Sequence, residues 1–173
     1  LTVFIGAVNF AFTFLAIFTI DRIGRKPLLL IGIIGMIISL TVVGFGAYFN
    51  ISSGWQLPFI LMFVASFAMS WGPVVWVMLS EIFSNQIRNY AMSIAVFAQW
   101  GFNFLVSQTF PMITGSEFLN EKFNGAFPFW LFALMSVLAL VFVWRLIPET
   151  KNKTLEEMEA LWESRMKKKK NED

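Results

Sequence analysis

The chain has 173 residues, of which 57% are hydrophobic and 14% charged, and its net charge is +2. Soluble domains carry roughly a quarter charged residues, so this chain has too little polar surface to enclose its apolar side chains in water, and lipid is the expected solvent. Neither Cys nor His occurs, which excludes disulfides, thiol catalysis and Cys-based metal sites.

Five apolar stretches, residues 1–20, 28–49, 57–79, 91–115 and 126–147, each reach the length of about 20 residues that a bilayer-crossing helix needs. None has a charge near its centre. The first begins at Leu1 without an initiator Met and without the basic flank of a signal peptide, so the chain reads as part of a longer protein. Within it Thr2, Gly6, Asn9 and Thr13 form a polar and small-residue stripe. The connection 21–27 carries Arg22, Arg25 and Lys26, and after the second stretch the connection 50–56 carries no charge.

The third stretch contains Trp71-Gly72-Pro73 in its second half, with Trp76 one turn further on. Pro73 removes a backbone hydrogen bond and Gly72 gives room to bend, so the pattern predicts a broken helix there. Broken membrane helices free backbone carbonyls that can line a cavity, and Trp76 has the flat face and the N–H that a sugar ring would use. A Trp packed beside a plain proline kink accounts for the same spacing. The connection 80–90 holds Glu81 and Arg88.

In the fourth stretch Gln99, Asn103 and Ser107 recur every four residues and form one polar face, with Trp100 beside its start. Ala91, Ala95 and Ala98 offer a small-residue surface for close packing. An unpaired amide in hydrocarbon costs several kcal/mol, so this face meets either a neighbouring helix or a polar pathway, and the residues alone favour neither. The connection 116–125 sets Lys122 against Glu117 and Glu121. After the fifth stretch Pro148 closes the span, and Thr154-Leu-Glu-Glu157 forms a capping box for an amphipathic helix with Leu155, Met158, Leu161 and Trp162 on one stripe.

Of the thirteen Lys and Arg residues, twelve lie in 21–27, in 80–90 and from Arg145 onward, with Lys122 alone on the other side. Segments separated by single crossings alternate sides, so the positive-inside rule makes the basic segments cytoplasmic and puts Leu1 near the outer face of a cell membrane. The run Lys167 to Lys170 suits a solvated tail or attraction to anionic lipid, and no nucleic-acid partner is expected. No span core holds Asp, Glu, Lys or Arg, and no phosphate-cradling loop or metal-ligand spacing appears. An enzyme is therefore not expected, and neither is a cofactor or a metal.

Three segments carry a resemblance. Asp21-Arg-Ile-Gly-Arg25-Lys26, Glu81 followed by Arg88, and Pro148-Glu-Thr-Lys151 resemble, in order and spacing, the signatures of sugar porters of the major facilitator superfamily. Asn152 stands where that family commonly has Gly, and the repeated Gly-Pro of animal glucose carriers is absent around Pro73, which favours a bacterial type. The resemblance implies an all-α membrane protein whose five transmembrane helices are spans eight to twelve of a twelve-helix transporter, followed by a cytoplasmic amphipathic helix. Residues 1–147 would be a partial carboxyl-terminal bundle and 148–173 a cytoplasmic tail.

The same resemblance implies proton-coupled uptake of D-xylose or a related monosaccharide by alternating access. Its alternatives are a uniporter for hexose and a membrane sugar receptor that does not translocate. It assigns Gly72, Trp76 and Gln99 to the sugar, Asn9 and Asn103 to the cavity lining, and Trp100 to the pocket's edge. Asp21, Arg25, Glu81 and Arg88 become a cytoplasmic gate charge network. The expected partners are a monosaccharide, a proton coupled outside this chain, the bilayer, the preceding span and an amino-terminal bundle.

Overall fold

The computed structural model describes residues 2–51, 53–83 and 87–151. Among these every regular element is helical: α1 (Thr2–Ile23), α2 (Arg25–Tyr48), a 3-10 turn (Ser53–Trp55), α3 (Gln56–Met69), α4 (Trp71–Ile82), α5 (Arg88–Thr114), α6 (Glu117–Phe123) and α7 (Phe127–Leu146). The tail helix expected from Thr154 lies outside the described residues.

Helix α2 is the centre of the bundle. Leu28, Gly32, Ile33, Met36, Leu40 and Val43 are buried at spacings of three and four, which is the stripe a helix presents to its neighbours. That stripe packs against α3 on one side and α7 on the other, while α1 lies along α3 and α4. Helix α5 is the exception, since none of its residues is buried and, among the described residues, its main contacts are sparse ones with α4, α6 and α7.

At the charged end the helices run past the apolar stretches. Helix α1 continues through Asp21 and Arg22, and α2 starts at Arg25, so the expected connection 21–27 contracts to Gly24. Gly24 reverses the chain with φ 105° and ψ 159°, a backbone region essentially reserved for glycine. Pro27 falls in the first turn of α2, where no intrahelical donor is needed.

The third span is broken, but at Ser70 rather than within Trp71-Gly72-Pro73. A proline clashes with the carbonyl four residues before it and fits the first turn of a helix, so Pro73 opens α4 and the discontinuity moves upstream. Ser70 has φ −124° and ψ −76°; its N–H donates to Phe67 O at 3.2 Å and its hydroxyl to Ser66 O at 2.7 Å. The fully buried Ser70 side chain fills the space beside Gly32 of α2, where a Cβ would overlap its Oγ. Gly35 stands in the same relation to Ser66 one turn away. The break is thus braced by close packing of α3 on the glycines of α2.

Among the described residues four helical segments are long and apolar enough to cross a membrane: α1, α2, α3 with α4, and α7. Helix α5, with 27 residues, is about 40 Å long, but Gln99, Asn103, Ser107 and Gln108 make it more polar than the others. The expected loop 116–125 contains α6 instead. Beyond it Asn124 adopts φ 49° and its side-chain N–H donates to Tyr48 O at 2.8 Å, tying this turn to the end of α2. Phe45, Tyr48, Phe123 and Trp130 pack ring against ring at this weakly charged end.

Candidate functional site

Two cavities lie beside the broken span. One, of about 620 Å³, opens between α4 and α5 and is lined by Trp71, Trp76, Gln99, Phe102, Asn103 and, from α7, Phe132. Its volume is within the range of small-molecule sites, about 300–1,000 Å³. The other, of about 570 Å³, lies among α2, α3 and α7 and shares Phe67, Trp71 and Phe132 as a wall. Its hydroxyls are already used, Ser39 donating to Gly35 O at 2.8 Å and Ser136 to Phe132 O at 2.9 Å. Only the first offers side-chain amides, so it is the better candidate for a polar ligand.

The cleft follows from local sequence. Gln99 and Asn103 are four residues apart on α5 and so share a face. Asn103 Oδ1 accepts a long hydrogen bond from Ser107 Oγ at 3.4 Å, whereas the Gln99 amide has no hydrogen-bond partner among the described residues. Trp76 stands opposite, on the second turn of α4. An indole face and two carboxamides are suited to a neutral, hydroxyl-rich molecule, with C–H groups against the ring and hydroxyls at the amides.

Of the six residues assigned to the sugar, the cavity lining and the pocket's edge, the cleft joins Trp76, Gln99 and Asn103. Gly72 is half-buried in the first turn of α4 outside the lining, and the nearest atom to a Cβ built there would be Phe67 O at 3.8 Å. Trp100 is 66% exposed on α5, and Asn9 is exposed on α1, both outside the cleft. Sequence reasoning did not assign Trp71, Phe102 and Phe132 to the wall. Trp71 had a signal in its Trp-Gly-Pro setting; Phe132 had none, because only the packing of α7 brings it there.

At the basic end four helix termini meet. Arg25 grips Glu81 of α4 with a fork, Nε lying 3.2 and 3.1 Å from the two carboxylate oxygens and Nη2 2.7 Å from Oε1. Arg25 Nη1 is 3.1 Å from Asp21, four residues earlier and on α1. The Arg25 side chain is 13% exposed and that of Asp21 75%, so the Glu81 fork is the stronger of the two pairs. Thr150 Oγ1 donates to Glu81 Oε2 at 2.6 Å.

Glu149 completes the cluster. Its Oε1 accepts from the N–H groups of Arg25, Thr150 and Lys151 at 3.0, 3.0 and 2.9 Å, and Oε2 from the N–H of Lys26 at 3.1 Å. A carboxylate on the free N–H groups at the start of α2 also meets the positive end of the helix dipole. Gly24 makes room for it, since a Cβ there would sit 3.0 Å from Glu149 Oε2. Lys151 Nζ donates to Arg22 O at 2.6 Å, at the end of α1, and Lys26 Nζ to Trp144 O at 2.8 Å, at the end of α7.

Of the four charges assigned to a gate network, the structure brings Asp21, Arg25 and Glu81 together, and it adds Glu149 and Thr150, whose contacts sequence reasoning missed. Arg88 stands apart: among the described residues it makes no ion pair, its Nη2 lies 3.5 Å from Phe83 O, and its Nε is buried without a partner.

A family model described as sugar (and other) transporter matches residues 1–162. The D-xylose-proton symporter of Escherichia coli (strain K12) is 50% identical over 167 residues, covering 96% of this chain and 34% of the relative. The glucose facilitated diffusion protein of Zymomonas mobilis is 45% identical over 163 residues, covering 94% and 34%. Among solved structures, the proton:xylose symporter of the major facilitator superfamily bound to 6-bromo-6-deoxy-D-glucose superposes with a TM-score of 0.85 at 50% identity, covering 93% of this chain and 34% of that one. The chain spans about a third of the length of these relatives.

Proposed function

Because this chain belongs to the sugar porter family of the major facilitator superfamily, we propose that it is the carboxyl-terminal part of a monosaccharide transporter. The proposed activity is proton-coupled uptake of D-xylose or a related sugar by alternating access. The observation that carries the reading is the cleft between α4 and α5, which Trp76, Gln99 and Asn103 line together. Half identity to a D-xylose-proton symporter supports the substrate class and the coupling.

In this reading α5 is the fifth crossing. Its length supports that, and its polar face becomes the lining of the sugar path instead of an obstacle to insertion. The five spans are then the eighth to twelfth of the whole transporter, with the cluster of Arg25, Glu81 and Glu149 on the cytoplasmic side and α6 on the outer side. The proton site belongs to another part of the protein, since the spans of this chain hold no carboxylate at mid-depth.

A uniporter is the second reading, and the 45% identity to a glucose facilitated diffusion protein supports it. The test uses the full-length protein in proteoliposomes. Counterflow of labelled D-xylose is expected, together with uptake driven by an imposed inward proton gradient. Counterflow without any response to the gradient would replace symport by uniport. Sugar binding without counterflow would make the protein a receptor.

A further inference from the structure

We propose that Thr150 is a positioning residue of the charged cluster: its hydroxyl fixes the Glu81 carboxylate in the orientation that grips Arg25. The inference rests on the transport reading above for its functional consequence.

Glu81 divides its two oxygens unequally. Oε1 takes two guanidinium contacts, from Nη2 at 2.7 Å and Nε at 3.2 Å, whereas Oε2 takes only Nε at 3.1 Å. The second contact of Oε2 is the Thr150 hydroxyl at 2.6 Å, a short charge-assisted hydrogen bond. A glutamate has three side-chain torsions, and a single partially exposed ion pair holds them poorly. Two donors from different directions define the carboxylate plane, and that plane is what a forked contact with guanidinium requires.

Thr150 is itself held in place. It is 3% exposed, although it follows the last span in what the sequence presents as the start of a tail. Its N–H and that of Lys151 are anchored on Glu149, which also holds the start of α2, and Lys151 Nζ reaches the end of α1. The hydroxyl is therefore delivered to α4 by a strap fastened at α1 and α2. Through this strap the chain after α7 governs whether Arg25 and Glu81 move as one unit.

The test compares Thr150→Val, which keeps the shape and removes the donor, with Thr150→Ser, which keeps the donor, in the reconstituted full-length protein. Thr150→Val is expected to slow counterflow turnover by about tenfold while changing the binding affinity for D-xylose by less than about twofold, and Thr150→Ser is expected to restore turnover. In a Glu81→Gln background Thr150→Val should add little further loss, because the carboxylate it orients is gone. Normal turnover in Thr150→Val, equal impairment by Ser and Val, or independent effects of the two substitutions would each overturn the assignment. If the wild type shows no counterflow, it is the transport reading that fails. The same double-mutant cycle read by thermal unfolding in detergent then decides the positioning role, and the absence of coupling between Thr150 and Glu81 would overturn it.

Discussion

On the polar face of α5 the Gln99 amide has no hydrogen-bond partner among the described residues, and it lines with Trp76 a cavity of about 620 Å³. An unsatisfied amide in a bundle is tolerated when a ligand or water completes it. Trp76→Ala and Gln99→Ala in the full-length protein are each expected to weaken sugar binding by about tenfold or more, with normal amounts reaching the membrane. Unchanged binding in both variants would remove the cleft as the sugar site. Gln99 and Asn103 were legible because each interrupts an apolar run at a helical spacing, and Trp76 because it follows Trp71-Gly72-Pro73 by one turn. Phe132 was not, being one Phe among 21 in the chain. Glu149 and Thr150 were marked as part of the Pro148-Glu-Thr-Lys151 segment, but their contacts were not legible: these reach back 124 residues to Arg25 and 69 to Glu81, and no local pattern says on which helix terminus a carboxylate will dock.

At the scale of elements the broken span depends on its brace. Ser70 satisfies its own hydroxyl on Ser66 O and lies against the bare Cα of Gly32, so the sharp backbone at the break is locked by contact with α2. Gly32→Ala is expected to destabilise the bundle by about 1–3 kcal/mol, the usual cost of overpacking, seen as a lower unfolding temperature in detergent. Removing the opposing atom with Ser70→Ala in the same molecule should recover part of that loss, because residues in contact couple. Additive effects of the two would show that the contact does not brace the break. The break itself was legible from Trp71-Gly72-Pro73, but its position was not. Proline strains the turn before it and is comfortable in the first turn after it, so the motif marks the start of α4 rather than the discontinuity. Helix α6 was hidden by its charges, since Glu117, Glu121 and Lys122 read equally well as a hydrophilic loop.

Over the whole molecule, α1, α2, α3 with α4, and α7 pack around one apolar stripe and are joined at one end by the Arg25, Glu81 and Glu149 cluster, while α5 is attached to them only lightly. The membrane class and most of the spans followed from hydropathy alone; the uneven packing did not, because it depends on how much of each helix finds a neighbour. A helix that buries nothing yet carries Gln99, Asn103 and Ser107 on one face is expected to be wet on that face and dry on the opposite one. The chain contains no Cys, so introduced thiols here report without interference from it. In full-length protein cleared of any other thiols, Asn103→Cys should react with a membrane-impermeant thiol reagent, and saturating D-xylose should slow that reaction about tenfold or more, as occupancy of a shared site requires. Leu105→Cys, about 200° further around the helix, should react poorly and show no sugar protection. Equal reactivity at the two positions, or protection at neither, would mean that α5 does not line a sugar path and that the cleft beside Trp76 is a packing gap.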